Sequence, residues 1–113
     1  MTNHQIHLKN GDILVSKLKL ANHFFSRLLG LMGTKSLENA SGLLITPCQQ
    51  IHTHFMRYPV DIIFLDKEMV VVEKVVALKP WKFTRFIKQA KHVLEVPAYA
   101  SEKVNVGDQL ILS

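Results

Sequence analysis

Two largely apolar runs set close together, Asp61 to Leu65 and Met69 to Ala77, do most to limit what this chain can fold into. They read as a strand pair joined at Asp66-Lys67-Glu68, and their apolar runs suggest strands covered on both faces. The rest of the chain advances in similar short steps. Ile6 and Leu8 alternate with polar neighbours, and Asn10-Gly11 predicts the two-residue type I′ turn of a hairpin. The returning strand runs from Ile13 to about Lys19. Gly42 to Ile45 is stopped by Pro47, Ile51 to Met56 is broken by Tyr58-Pro59, and His92 to Val96 and Gln109 to Leu112 complete the strands. One amphipathic helix is expected: Asn22 is its N-cap, Phe24, Phe25, Leu28, Leu29 and Met32 fall at helical spacing, and it ends near Leu31 to Gly33. Between Pro80 and Lys91, Phe83, Phe86, Ile87 and Ala90 also match a helix face. Pro80, Trp81 and Thr84 are poor helix starters, so that stretch reads as a loop or a single turn. The expected fold is mainly β with minor α: an antiparallel β-sandwich or partly closed barrel with one packed amphipathic helix.

A length of 113 residues fits one β-rich domain spanning 1–113. Nothing approaches the roughly 20 apolar residues of a membrane helix, so no transmembrane segment is expected. The opening residues lack the basic-then-apolar profile of a secretory signal. A single cysteine cannot form a disulfide within the chain, which fits a reducing compartment, and a cytoplasmic protein is the expectation.

Charge is unevenly placed. No acid lies between Glu73 and Glu95, while Lys74, Lys79, Lys82, Arg85, Lys88 and Lys91 all do. Without those six bases the remaining eight face nine acids, so the net charge of +5 belongs to one patch. Lys79, Lys82, Arg85, Lys88 and Lys91 alternate there with Trp81, Phe83 and Phe86. Such a mixture can bind single-stranded nucleic acid or an anionic membrane surface. The plain alternative is aromatics covering the core beneath solvated lysines.

The densest chemistry lies in Cys48-Gln49-Gln50-Ile51-His52-Thr53-His54-Phe55-Met56-Arg57-Tyr58-Pro59-Val60-Asp61. On an extended strand, residues two apart share a face, which puts His52 and His54 about 7 Å apart at the backbone. Two such imidazoles can converge on zinc, copper or iron, so a divalent transition metal is the cofactor this pattern allows. Cys48 stands about 13 Å from His52 along a straight strand, and further ligands would come from Asp61, His92 or Glu95. The plain alternative is two polar residues facing a pocket or solvent. Cys48 is either a nucleophile activated by a histidine or a small buried apolar residue. Arg57 offers a planar fork to a carboxylate or phosphate, and equally can bridge the Tyr58-Pro59 turn to Asp61. Asp61 begins a buried strand, where its carboxylate needs partners such as backbone N–H groups.

Several of these stretches together resemble the domain-of-unknown-function 192 family, also called uncharacterised protein family 0127. The resemblance rests on Arg27-x-x-Gly30-Leu31-Met32-Gly33, Gly42-Leu43-Leu44-Ile45, and His52-Thr53-x-x-Met56-Arg57-x-Pro59-x-Asp61-Ile62-Ile63-Phe64-Leu65-Asp66. Val93-Leu94-Glu95-Val96-Pro97 and Gly107-Asp108 complete it. It implies a β-rich fold of the sandwich or jelly-roll kind and implies no activity. Many relatives carry an aromatic residue where His52 stands, and often a glycine where Tyr99 follows Pro97-Ala98. Arg27, through its place in the family pattern, joins the candidate site, or else ties the helix to the sheet by pairing with Glu95 or Asp66.

The functional expectation is a module that binds a small ligand or a protein. Its polar site would gather His52, His54, Met56, Arg57, Asp61 and Arg27. The alternatives are a metal-dependent hydrolase using His52 and His54, and docking on an anionic partner, nucleic acid or membrane, through Lys79 to Lys91.

Overall fold

Every residue of β4, Val60–Leu65, is buried, as its apolar letters imply. It lies between β5 (Val71–Leu78) and β6 (His92–Pro97), antiparallel to both. The computed structural model describes residues 4–22, 41–53 and 56–113. Within them the other strands are β1 (His4–His7), β2 (Ile13–Asn22), β3 (Gly42–Thr46) and β7 (Ile111–Leu112). All seven join one sheet in the order β5-β4-β6-β3-β2-β1-β7.

That single sheet corrects the expected fold class. A mainly β chain is found, but not two stacked antiparallel sheets. β2 and β3 run parallel, from Leu18 opposite Gly42 to Asn22 opposite Thr46. The packed helix is corrected too: Asn22, the expected N-cap, closes β2, and no helix occurs among the described residues. The remainder of the helix reading, as far as Leu31 to Gly33, lies outside them. Alternation along a strand says which side chains share a face. It does not say whether that face meets a second sheet or the same sheet curled round.

Here the sheet curls. One core gathers Ile6 and Val15 from β1 and β2, Leu44 from β3, Ile63 and Leu65 from β4, Leu94 and Val96 from β6, with Val71, Val104 and Leu110. Residues from both ends of the strand order can meet only if the sheet wraps around them. Backbone bonds between its two margins hold the curl: Val71 N donates to Asp108 O (2.8 Å), Gly107 N to Val71 O (2.8 Å) and Leu110 N to Met69 O (2.9 Å). A second core lies on the outer face, built on Leu43, Ile45, Val60, Ile62, Phe64 and Val93 and covered by Cys48, Ile51, Met56, Ile87 and Ala90.

Turns differ from expectation in detail. At Asn10-Gly11 only Gly11 has positive φ (96°). Leu8 N donates to Asp12 O (2.9 Å) and Gly11 N to Leu8 O (3.0 Å), so the loop holds three residues, with glycine in the left-handed position, and is not type I′. Among the described residues of the strand expected from Ile51 to Met56, one bridge is found, between His52 and Phe83.

Candidate functional site

The residues from Cys48 to Thr53 act as a rail for the segment 79–91. Trp81 N donates to Thr53 O (3.0 Å), Thr53 N to Lys82 O (2.9 Å), Thr84 N to Ile51 O (2.9 Å), Ile87 N to Gln49 O (2.8 Å) and Cys48 N to Lys91 O (3.0 Å). Side chains reinforce the seam. Thr53 Oγ1 donates to Lys79 O (2.6 Å) and accepts from Lys82 N (3.0 Å), and Thr84 Oγ1 accepts from Ile51 N (3.0 Å). The amides of Gln49 and Gln50 reach Lys88 O (2.8 Å) and Thr84 O (3.0 Å). The segment is therefore a strap, an irregular extended chain pinned along its length. Neither of the two segments could satisfy these backbone groups alone.

Thr84, Ile87 and Ala90 are the strap's buried positions, at every third residue. The intervening side chains point outward. Trp81 is 56% exposed, Phe83 66% and Phe86 57%, which reverses the reading of these aromatics as core cover. Large apolar rings exposed together on a fixed backbone mark a contact surface more often than isolated ones do. Lys79, Lys82, Lys88 and Lys91 are exposed around them and form no ion pair among the described residues. Arg85 differs: its guanidinium makes a two-pronged contact with the Glu73 carboxylate, which raises its already high pKa.

Of the expected ligand residues, the structure describes His52, Met56, Arg57 and Asp61, and it turns Asp61 away from the outer face of the sheet. His52 is half-buried at the foot of the strap, its ring tilted 55° to Phe83 at a centroid distance of 6.1 Å. Met56 is buried in the outer core and Arg57 is exposed. His54 and Arg27 lie outside the described residues. Asp61 is on the opposite face of β4 and fully buried. Its Oδ1 accepts from Ala77 N (2.8 Å), and its Oδ2 accepts from Ser101 N (3.1 Å) and Ser101 Oγ (2.5 Å). Burial alone would raise its pKa, but these bonds and one from Tyr99 N outweigh burial and hold it below the ordinary value. The carboxylate thereby secures two left-handed residues, Ala77 (φ 52°) at a bulge in β5 and Tyr99 (φ 68°) in the turn after β6. Tyr99 thus holds the left-handed conformation that glycine favours.

Cys48 is buried, and its thiol donates to Gln50 O (3.2 Å). Burial, with a smaller contribution from nearby Glu95, pushes the thiol up in spite of backbone N–H groups at Gln50 and Gln49, which disfavours the thiolate. His92 bonds through Nδ1 to Thr46 Oγ1 (2.7 Å), and burial and Lys91 lower its pKa although Asp66 opposes them. Among the described residues no three His, Cys, Asp or Glu side chains gather as a metal site. A surface hollow of about 440 Å³, lined by Lys74, Val76, Tyr99 and Glu102, contains none of the expected site residues.

Glu95 is the group whose setting the sequence reading missed. It is 4% exposed on the outer-core face of β6, with Leu43 and Ile62 as its cross-strand neighbours. No hydrogen bond or ion pair reaches its carboxyl among the described residues, and burial raises its pKa to about 7. One signal was available: it is the single charged letter within Val93-Leu94-Glu95-Val96.

The family model DUF192, described as "Uncharacterized ACR, COG1430", matches residues 6–112. The UPF0127 protein of Pyrococcus furiosus is 32% identical over 112 residues, covering 93% of this chain and 94% of that one. The Pyrococcus abyssi UPF0127 protein is 37% identical over 103 residues, covering 83% and 84%. For the Thermococcus sibiricus protein the identity is 32% over 112 residues, covering 93% and 71%. A crystal structure of a protein of unknown function from Novosphingobium aromaticivorans DSM 12444 has a TM-score of 0.75 at 18% identity, covering 97% of this chain and 84% of that one. One from Sinorhizobium meliloti 1021, named as a candidate transcription regulator, gives 0.74 at 18% identity, covering 96% and 91%. At such identities the likeness concerns the fold.

Proposed function

The chain belongs to the DUF192 (UPF0127) family of uncharacterised proteins, and on that premise we propose that it works as a binding module whose partner is anionic. The observation that carries this reading is the strap. It is bonded to Cys48–Thr53 along its length and presents Trp81, Phe83 and Phe86 among Lys79, Lys82, Lys88 and Lys91. Fixed backbone geometry spares the array most of the ordering entropy that a flexible basic loop loses on binding. Exposed cations on one segment add their fields over about a Debye length, roughly 8 Å at physiological salt, and so draw in an opposite charge. His52 and Thr53 serve the surface from beneath.

Retention on a phosphate or sulfonate resin, eluted with salt, tests the reading. Lys82→Glu/Lys88→Glu should elute at clearly lower salt, with a shallower dependence of affinity on salt concentration. Lys17→Glu/Lys19→Glu makes the same change of net charge on β2 and should matter much less. Equal loss in both variants would mean that total charge, and not the strap, governs retention, and the reading would fail.

A further inference from the structure

Resting on that reading, we infer that the anionic partner is a lipid bilayer surface, with Trp81, Phe83 and Phe86 seated at the headgroup level and the lysines on lipid phosphates. Three features favour a membrane over a nucleic acid strand. The first is shape. The strap packs Ile87 and Ala90 onto the outer core and leaves Trp81, Phe83 and Phe86 more than half exposed, whereas proteins that bind single strands usually track the backbone in a groove.

The second is the kind of cation. Arg85, the strap's one arginine, is engaged by Glu73, and the remaining cations are lysines. Arginine's planar fork suits directed recognition of single phosphates and bases. Lysine is a mobile point charge on an apolar stem, which can lie along buried acyl surface while its ammonium stays with the headgroups. The third is the aromatic set. Trp81, Phe83 and Phe86 fall within six residues, each more than half exposed, with lysines on both sides. Amphipathic rings flanked by bases are the composition of interfacial membrane contacts. Adhesion would be peripheral, since among the described residues no helix is long and apolar enough to cross a membrane.

Trp81 is the chain's single tryptophan, so the protein carries its own reporter within the surface. The experiment mixes the full chain with phosphatidylcholine vesicles containing phosphatidylglycerol, and follows tryptophan emission and co-sedimentation. Vesicles of phosphatidylcholine alone and single-stranded RNA are run beside them. The expected result is a blue shift of Trp81 on the anionic vesicles, with quenching by lipids brominated on the upper acyl chain. Lys82→Glu/Lys88→Glu should lower the partition coefficient by about tenfold or more. Phe83→Ser/Phe86→Ser should reduce bound protein while its thermal unfolding stays near that of the parent, because both rings are already exposed.

Equal binding to phosphatidylcholine alone would overturn the anionic requirement. Quenching by RNA with no response to vesicles would overturn the membrane assignment and leave the anionic-partner reading standing. Salt-reversible sedimentation without blue shift or bromine quenching would overturn the seating of the aromatics. Failure to bind resin, RNA and vesicles alike would overturn both readings.

Discussion

Asp61 and Glu95 are carboxyl groups on neighbouring strands, one register step apart, facing opposite cores. Both are buried, Asp61 at 0% and Glu95 at 4% exposure. Asp61 is ringed by donors from Ala77 and Ser101 and stays ionised below the ordinary aspartate range. Glu95 looks onto Leu43 and Ile62 and holds its proton up to a pKa of about 7. Equal burial thus has opposite consequences, and the number of donors within reach decides between them. The inner face has used its carboxylate to build turns. The outer face carries a carboxyl that burial pushes toward its neutral form.

Removing the donors' target is the harshest way to break this comparison. Asp61→Ala should destabilise the chain by about 3–5 kcal/mol, because it leaves buried N–H groups unpaired. Denaturant unfolding would measure it, and a loss below about 1 kcal/mol would mean that water replaces the carboxylate. The wild-type pH dependence has a sign to match. With its folded pKa depressed, Asp61 contributes stability above the ordinary aspartate pKa, and that contribution is lost as pH falls through the folded value.

Glu95 should slope the other way. Its pKa is raised from 4.5 to about 7, so its contribution is complete below 4.5 and is lost as pH rises through 7. The span corresponds to about 3 kcal/mol as an upper figure. Glu95→Gln should therefore gain stability relative to the parent at pH 8 and show little difference in pH dependence from a chain lacking this titration. Paired unfolding curves at pH 5 and pH 8 give the answer. An identical pH slope in parent and variant would show that the carboxyl is ionised and paired in solution.

Thr53→Val sharpens the contrast on the outer face. It keeps the side-chain shape but removes the hydroxyl shared by Lys79 O and Lys82 N, for an expected loss of about 1–2 kcal/mol. Amide hydrogen exchange should quicken at Trp81 and Lys82 while Ala77 and Ser101 stay protected. Uniform quickening would mean that the strap is not a separable unit. The smallest effect is expected from Tyr99→Gly, which relieves a left-handed φ of 68° at an exposed position. A gain of about 0.5–1 kcal/mol, seen as a modest rise in Tm, is the prediction.

Much of this was legible in the letters. The apolar runs 62–65 and 70–72 foretold the strand pair, Pro47 marked the end of β3, and the acid-free interval between Glu73 and Glu95 marked the strap. Less was legible at the site. Asp61 reads as part of one polar site with His52, but it turns to the other core while His52 bridges to Phe83. Phe83, Phe86, Ile87 and Ala90 share a helix face, yet the poor helix starters favour a loop, and the strap is irregular and buries Thr84, Ile87 and Ala90. Periodicity can rank helix against strand. It has no term for an irregular segment whose hydrogen-bond partners lie far away in sequence.

By itself, the sequence determined the family, the mainly β content, the places of most strands and turns, and the concentration of positive charge. These depend on local preference: which residues tolerate extended backbone, which tolerate positive φ, and which neighbours share a sign. Only the tertiary structure decided the parallel pairing of β2 with β3, the curl that makes one sheet enclose a core, and the seam between Cys48–Thr53 and the strap. It also decided that the buried Asp61 would be ringed by donors from Ala77 and Ser101. Those outcomes turn on hydrogen bonds and contacts between residues distant along the chain, whose geometry no local pattern encodes.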